Sequence, residues 1–134
     1  MRKARILLAD DHKMMAQMIE RILTPHFDVV GTAEDGLALV RMAKEFGPDV
    51  IVADLSMPGL NGFDALNQIK QHYPQLKFIM LTGYQEPALA QRAMECGASA
   101  FLLKMFVSEE LTVAIDAALS DQTYITPHLK PVRR

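Results

Sequence analysis

The chain lacks the features that mark several classes of protein. It has a single cysteine and no tryptophan among its 134 residues, and its formal net charge at pH 7 is only −2. One cysteine permits no internal disulfide, which fits a reducing compartment. A charge balance this close to neutral gives no sign that the domain itself binds nucleic acid. These absences argue against a disulfide-stabilised secreted domain and against a basic nucleic-acid-binding domain.

Long apolar segments are missing as well. No apolar run approaches the roughly 20 residues that a membrane-spanning helix requires. Asp10 and Asp11 interrupt the apolar segment that follows the charged N-terminus, so this segment has no signal-peptide core. We therefore expect a cytoplasmic protein that has no membrane partner.

Strand-like apolar runs alternate with helical patterns about five times along the chain. In the first helical pattern Met15, Met18, Ile19 and Ile22 recur at helical spacing, and Pro25 ends it. Such alternation predicts an α/β fold with helices on both faces of a parallel sheet. We expect a flavodoxin-like, doubly wound domain with strand order 2-1-3-4-5 over residues 1–121. Residues 122–134 then form a tail or the start of a linker.

Four of the predicted strands end in polar residues. The residues that follow these apolar runs are Asp10 and Asp11, Asp54, Thr82 and Lys104. Strands that are buried on both faces read as continuous apolar runs, and open parallel sheets bind ligands at the carboxyl ends of their strands. We therefore expect three carboxylates, one hydroxyl and one ammonium group to converge at one edge of the sheet.

This set of groups suits a divalent cation and a phosphoryl group. Carboxylates crowded into one cleft repel each other, and a bound cation such as Mg²⁺ relieves the repulsion. A carboxylate can also attack phosphorus and become an aspartyl phosphate, whose oxygens Lys104 and Thr82 are placed to contact. Each residue alone has a simpler explanation. A pair of acids often caps a helix, a threonine in a strand usually packs against its neighbours, and a lysine at the end of a strand is usually solvated. Their joint position at the strand ends favours the phosphoryl site.

The same segments resemble those of bacterial two-component response-regulator receiver domains. The resemblance runs from Ile6 to about Leu119. The segments that carry it are LLADDH at 7–12, DLSMPG at 54–59 with Asn61-Gly62, LTG at 81–83 and GASAFLLK at 97–104. It implies a phosphorelay signalling protein rather than an enzyme, whose own chemistry is limited to accepting and losing a phosphoryl group.

The resemblance also implies a role for each residue of the site. Asp54 is the implied phospho-acceptor, loaded from the phosphohistidine of a sensor histidine kinase or of a phosphotransfer protein. Asp11 is the implied direct Mg²⁺ ligand, and Asp10 acts mainly through water. The implied ligand set is Asp10, Asp11, Asp54 and the backbone carbonyl of Ser56.

Further roles concern the bound phosphoryl group and its hydrolysis. By resemblance, Lys104 binds the phosphate, Thr82 is the switch hydroxyl and Phe101 is the switch aromatic that moves inward when Thr82 shifts. Plain core packing is the competing explanation for Phe101. The positions that tune access of water to the phosphate are Ser56, Gly83 and Tyr84, and a bulky Tyr84 is expected to slow phosphate loss. Met105 replaces the proline that often follows the lysine, so we expect a trans peptide bond there.

The resemblance is closest to the receiver half of LuxR/NarL-type transcriptional regulators. The segments that indicate this subfamily are DDH at 10–12, DLSMPG at 54–59 and TYITPHL at 123–129. It implies a receiver that forms a homodimer on phosphorylation, controls transcription and meets DNA only through an output domain absent from residues 1–134.

Other functions stay open from the sequence. The chain is alternatively a stand-alone receiver that signals by protein–protein binding, or a receiver-like interaction module that works without phosphorylation. An aspartate-nucleophile phosphatase is disfavoured because Ser56 stands where a second acid is usual. A nucleotide or flavin site is disfavoured because residues 10–13 replace a glycine-rich loop. The four histidines, at positions 12, 26, 72 and 128, have no spacing typical of a metal site.

Overall fold

Parallel strands and helices alternate along the chain as the apolar runs predict. The computed structural model describes residues 2–129, so residue 1 and residues 130–134 at the end of the predicted tail lie outside the described residues. The strands in this range are β1 (Arg5–Ala9), β2 (Asp28–Ala33), β3 (Val50–Asp54), β4 (Lys77–Thr82), β5 (Ala100–Leu103) and β6 (Tyr124–Ile125). The α-helices in this range are α1 (Lys13–Leu23), α2 (Gly36–Phe46), α3 (Gly62–His72), α4 (Pro87–Glu95) and α5 (Val107–Leu119).

The strands form one parallel sheet in the order β2-β1-β3-β4-β5-β6. The predicted order 2-1-3-4-5 is therefore confirmed, and β6 extends the sheet beyond β5. The chain reverses its direction of winding between β1 and β3, which is the position where ligands of such sheets bind.

Helices cover both faces of the sheet. One buried cluster joins alternate strand residues such as Leu7 and Ile51 to apolar residues of α2, α3 and α4. A second cluster joins the intervening strand residues, such as Leu8 and Val52, to α1 and α5. Because successive strand residues point to opposite faces, burial on both faces requires the uninterrupted apolar runs seen in the sequence. Within residues 2–129 no helix is long and apolar enough to cross a membrane.

The segment after α5 is folded against the sheet up to the last described residue. β6 pairs with β5, and the Thr126 hydroxyl accepts a hydrogen bond of 3.1 Å from the backbone N–H of Leu103. The same hydroxyl donates to Glu110 Oε1 at 3.0 Å, and that oxygen also accepts from the Tyr124 hydroxyl at 2.9 Å. The predicted division between residues 121 and 122 stays a prediction, although residues 124–126 pair with or hydrogen-bond to β5.

Candidate functional site

The polar residues predicted to follow the strands do lie at one edge of the sheet. Asp54 and Thr82 are the last residues of β3 and β4, while Asp10 and Lys104 directly follow β1 and β5. Lys104 begins a short 3₁₀ turn, Lys104–Phe106, rather than ending β5. Asp10, Asp54 and Thr82 are at most 4% exposed, although they are polar. Buried carboxylates require compensating partners, and their partners therefore define the site.

Lys104 provides a positive charge to two of the buried carboxylates. Its Nζ atom lies 2.6 Å from Oδ2 of Asp54 and 3.7 Å from Oδ2 of Asp10. The lysine side chain is 17% exposed and each carboxylate side chain is 3% exposed. Charges withdrawn from water in this way interact more strongly than surface pairs. The first turn after β5 thus holds an ammonium group directly against Asp54.

Asp54 is held by both of its carboxylate oxygens. Oδ2 accepts from Lys104, and Oδ1 accepts a hydrogen bond of 3.0 Å from the backbone N–H of Ser56. Burial raises the pKa of the Asp54 carboxyl above its ordinary 3.8; the hydrogen bonds from Lys104 and Ser56 oppose this shift, and the nearby charge of Asp10 adds to it. A bound cation would favour the ionised form of this carboxylate.

Asp10 has one oxygen without a hydrogen-bond partner in the part of the chain that the structure describes. Its Oδ1 accepts a 2.9 Å hydrogen bond from the backbone N–H of His12. Its Oδ2 is buried and has no hydrogen-bond partner among the described residues, and Lys104 Nζ lies 3.7 Å from it. Buried polar atoms are almost always paired, by water or an ion if not by protein. This orphaned oxygen therefore fits a site that takes a cation or its water ligands.

His12 belongs to the acidic cluster, which the spacing of the histidines does not indicate. Its Nδ1 atom lies 3.2 Å from Oδ1 of Asp10, 3.1 Å from Oδ1 of Asp11 and 3.9 Å from Oδ2 of Asp54. One ligand atom from each of these four residues falls within 4.8 Å of the others. A signal for His12 was present in the sequence, since it directly follows the acid pair.

The loop between β3 and α3 is fixed close to Asp54. The side chain of Asn61 caps α3 by accepting from the backbone N–H of Asp64 at 3.0 Å, as its N-cap position predicts. A Cβ atom on Gly62 would lie 2.8 Å from Cα of Leu55 and 3.1 Å from the backbone oxygen of Asp54. Only glycine allows the helix to begin this close to the strand, and the close approach fixes the backbone that carries Ser56.

The residues predicted to bind phosphate or tune access surround this loop. The Thr82 hydroxyl accepts a 3.0 Å hydrogen bond from the backbone N–H of Tyr84, which leaves its hydrogen free to be donated. Tyr84 is 57% exposed and, with Asp11 and Ser56, lines an open groove with a volume of about 640 Å³. Apart from its two chain neighbours, no atom of the described residues lies within 4 Å of the position of a Cβ atom on Gly83. Asp11, Ser56 and Tyr84 therefore border an open groove beside the loop that follows Asp54.

Phe101 lies in the core rather than at the edge. Its side chain is fully buried in the cluster formed with α2, α3 and α4. This position fits core packing, and the switch role of Phe101 stays a prediction. The Lys104–Met105 peptide bond is trans, since the described residues contain no cis peptide bond.

Known proteins are similar to this chain over most of its length. The family described as "Response regulator receiver domain" matches residues 6–116. "Transcriptional regulatory protein DegU" of Brevibacillus brevis is 33% identical over 127 residues, which are 93% of this chain and 54% of DegU. "Chemotaxis protein CheY" of Bacillus subtilis (strain 168) is 36% identical over 117 residues, which are 87% of this chain and 98% of CheY.

Solved structures agree with this similarity. A two-component response regulator of the LuxR family from Aurantimonas sp. SI85-9A1 superimposes with a TM-score of 0.90 at 33% sequence identity. The superposition covers 95% of this chain and 92% of that chain. The chain spans little more than half the length of the first curated relatives, between 54% and 59%, but nearly all of CheY.

Proposed function

Because the chain belongs to the family of response regulator receiver domains, we propose that Asp54 accepts a phosphoryl group from a sensor histidine kinase or a phosphotransfer protein. The observation that carries this proposal is the 2.6 Å contact of Lys104 Nζ with Asp54 Oδ2 beside an orphaned oxygen of Asp10. A carboxylate between an ammonium group and a cation site is arranged to receive a group that brings further negative charge. A receiver domain is not an ordinary enzyme, since it acts on its own side chain.

The transfer itself requires little of the protein beyond positioning. A lone pair on a carboxylate oxygen of Asp54 forms the new O–P bond. The P–N bond of the donor phosphohistidine breaks, and the imidazole nitrogen retains the bonding electrons and takes up a proton. Asp54 must be ionised to attack, and Lys104 and the Ser56 N–H favour the ionised form against the effect of burial.

The donor set around Asp54 fits Mg²⁺. Oxygen ligands from Asp11, Asp54 and the backbone carbonyl of Ser56, with Asp10 acting through water, are of the kind that Mg²⁺ prefers. When bound, Mg²⁺ supplies positive charge that offsets the negative charge on the phosphoryl oxygens. The orphaned Oδ2 of Asp10 supports this assignment because it is a buried acceptor that no described protein group satisfies.

The remaining residues act on the phosphorylated state. The ammonium group of Lys104 would contact one phosphoryl oxygen, and the hydroxyl of Thr82 would donate to another. The phosphate adds charge and acceptor oxygens, so that it can bias a switch between two arrangements of Thr82 and Phe101. The access residues Ser56, Gly83 and Tyr84 would set how easily water reaches the phosphate.

The output that we propose is homodimerisation or an altered contact with an output domain, which would control transcription by binding DNA. The similarity to DegU, whose name is that of a transcriptional regulatory protein, supports this proposal. We also expect the protein to act in the cytoplasm, where a kinase could reach it.

A second candidate output is binding to another protein by a stand-alone receiver. The similarity to CheY over 98% of that protein favours it. The coding sequence after Arg134 separates the two outputs, because transcriptional control requires a DNA-binding domain in the same product. A stop codon there would contradict direct transcriptional control.

Intact-mass spectrometry tests phosphorylation. The protein is incubated with acetyl phosphate and Mg²⁺, beside Asp54→Asn and beside a sample with EDTA. We expect one phosphoryl increment in the wild type and none in either control. An increment that persists in Asp54→Asn, or no increment in a wild type shown by circular dichroism to be folded, would overturn the proposal.

A further inference from the structure

We propose that His12 is an additional protein ligand of the metal site and that the site therefore also takes a borderline transition metal such as Co²⁺, Ni²⁺ or Zn²⁺. This inference rests on the proposed function only in that the site is the one assigned to Mg²⁺. The inference requires four residues whose potential ligand atoms lie within 4.8 Å of one another: Asp10, Asp11, His12 and Asp54.

The distances around His12 are those of a ring nitrogen paired with carboxylates, and they also match the spacing of ligands around one ion. Metal bonds of about 2.1 Å place adjacent octahedral ligands about 3.0 Å apart and opposite ligands about 4.2 Å apart. Nδ1 of His12 lies 3.2 Å from Asp10 Oδ1 and 3.1 Å from Asp11 Oδ1, near the adjacent value. It lies 3.9 Å from Asp54 Oδ2, close to the opposite value. The ring nitrogen therefore lies at adjacent-ligand spacing from two carboxylates, Asp10 and Asp11, whereas the Asp54 oxygen near it already accepts from Lys104.

A second observation points to a ligand at this position. Oδ2 of Asp10 is buried without a hydrogen-bond partner, and the Asp10 side chain is only 3% exposed. Lys104 approaches this oxygen no closer than 3.7 Å. The cluster thus combines converging acids with a second feature, a buried acceptor oxygen that has no hydrogen-bond partner among the described residues.

The local structure does not use the imidazole of His12 to cap α1, and its Nδ1 atom instead contacts Asp10 Oδ1 at hydrogen-bond distance, 3.2 Å. His12 is the N-cap residue of α1, but its side chain makes no capping hydrogen bond. Its backbone N–H is fixed instead by Asp10 Oδ1 at 2.9 Å. The ring is 66% exposed at the rim of the site, so that it can exchange solvent for a metal without a change in the core.

The chemistry of the ligand atoms then determines for which metal ions His12 raises the affinity of the site. Carboxylate and carbonyl oxygens suit Mg²⁺, whereas imidazole suits zinc, nickel and related metals, whose affinities rise along the Irving–Williams order. An oxygen-only site would already favour the later metals, so the part of the preference that depends on His12 is the quantity to measure. We expect His12 to raise the affinity for Co²⁺ and Ni²⁺ much more than that for Mg²⁺.

Calorimetric titration of the metal-free protein with Co²⁺, Ni²⁺ and Mg²⁺ measures this quantity. The variants are His12→Ala and a control, His26→Ala, which removes an exposed imidazole three residues beyond the end of α1. We expect His12→Ala to lower the Co²⁺ affinity by at least the roughly 10–100-fold that loss of an outer-shell partner causes, and His26→Ala to leave it unchanged. Circular dichroism verifies that each variant is folded.

A spectroscopic readout tests direct ligation. Proton NMR of the Co²⁺ form is expected to show strongly shifted, carbon-bound ring-proton resonances of a ligated imidazole, present in the wild type and in His26→Ala and absent from His12→Ala. Equal Co²⁺ affinities of wild type and His12→Ala would overturn the inference. A tighter binding of every metal by His12→Ala would also overturn it, because the ring would then compete with the ion.

These outcomes are separable from failure of the proposed function. A wild type that binds Mg²⁺ and is phosphorylated, with Co²⁺ affinity independent of His12, contradicts the inference alone. A folded wild type that binds no divalent cation contradicts both. Nickel or cobalt binding that depends on His12, without phosphorylation of Asp54, contradicts the proposed function alone.

Discussion

Replacing Lys104 by methionine should destabilise the domain strongly, because two buried carboxylates lose the cation beside them. Methionine keeps most of the length and apolar surface of the lysine but none of its charge. In the wild type, the ammonium group lies 2.6 Å from Asp54 and 3.7 Å from Asp10, and both carboxylate side chains are 3% exposed. Lys104→Met therefore isolates the electrostatic contribution of this residue.

The size of the effect follows from the burial of the group. Removing one partner of a buried ion pair typically costs 3–5 kcal/mol. We expect about 3 kcal/mol, the low end of that range, because Lys104 is 17% exposed and water screens part of its interaction with the carboxylates. Lys44→Met is the matched control, since Lys44 is exposed on α2 and surface changes usually stay within about 0.5 kcal/mol.

A double-mutant cycle with Asp54→Asn identifies the partner. In the Asp54→Asn background, Lys104→Met should cost about 1 kcal/mol, because only the more distant Asp10 remains charged. The coupling free energy is then about 2 kcal/mol, within the range of residues in direct contact.

Urea unfolding at pH 7 in EDTA, followed by far-ultraviolet circular dichroism, measures these values, since the chain has no tryptophan. A loss of about 3 kcal/mol corresponds to a shift of roughly 1–3 M in the urea midpoint at ordinary m-values. A Lys104→Met protein that unfolds at the wild-type midpoint would refute the electrostatic account of the site. A coupling free energy below about 0.5 kcal/mol would refute the pairing with Asp54.

Three further predictions concern stability and phosphate loss. Because burial raises the pKa of the Asp54 carboxyl above 3.8, the ionised group lowers the stability of the folded state at pH 7, and this penalty disappears as the pH falls through the raised value. Asp54→Asn should therefore raise the melting temperature at pH 7 in EDTA. If the difference in melting temperature between variant and wild type were the same at pH 4 as at pH 7, the reasoning would be contradicted. A Cβ atom on Gly36 would lie 1.8 Å from the backbone oxygen of Leu60, so Gly36→Ala should cost more than the usual overpacking range of about 1–3 kcal/mol in urea unfolding, whereas Gly83→Ala should not. Tyr84→Ala should shorten the half-life of the phosphorylated protein severalfold, as followed by intact mass over time, and an unchanged half-life would show that the ring does not restrict water.

Much of the fold could be predicted because the central strands are buried on both faces. Only apolar residues, at positions 50–53, precede Asp54 in its run. Likewise, only apolar residues, at positions 78–81, precede Thr82. Such a pattern identifies both the strand and its carboxyl end. Parallel pairing then requires those ends to meet at one edge, so the convergence of Asp10, Asp54 and Lys104 could be inferred before any coordinates.

Other features depend on tertiary contacts that no local pattern encodes. β6 has only two residues, and it is held in place by the hydrogen bonds of Thr126 with Leu103 and Glu110. His12 joins the acidic cluster because it closely follows β1, which pairs directly with β3, and its partners include an acid 42 positions away, by 54 − 12. Rules based on ligand spacing along the chain cannot detect such a partner.

Borohydride trapping tests the central claim most directly, because borohydride reduces an aspartyl phosphate to homoserine at the phosphorylated position. The protein is treated with acetyl phosphate and Mg²⁺, reduced, digested and sequenced by mass spectrometry, with Asp54→Asn as the control. The account predicts homoserine at position 54 in the wild type and at no position in the control. Homoserine at Asp10, at Asp11 or at another acid in place of position 54 would contradict it.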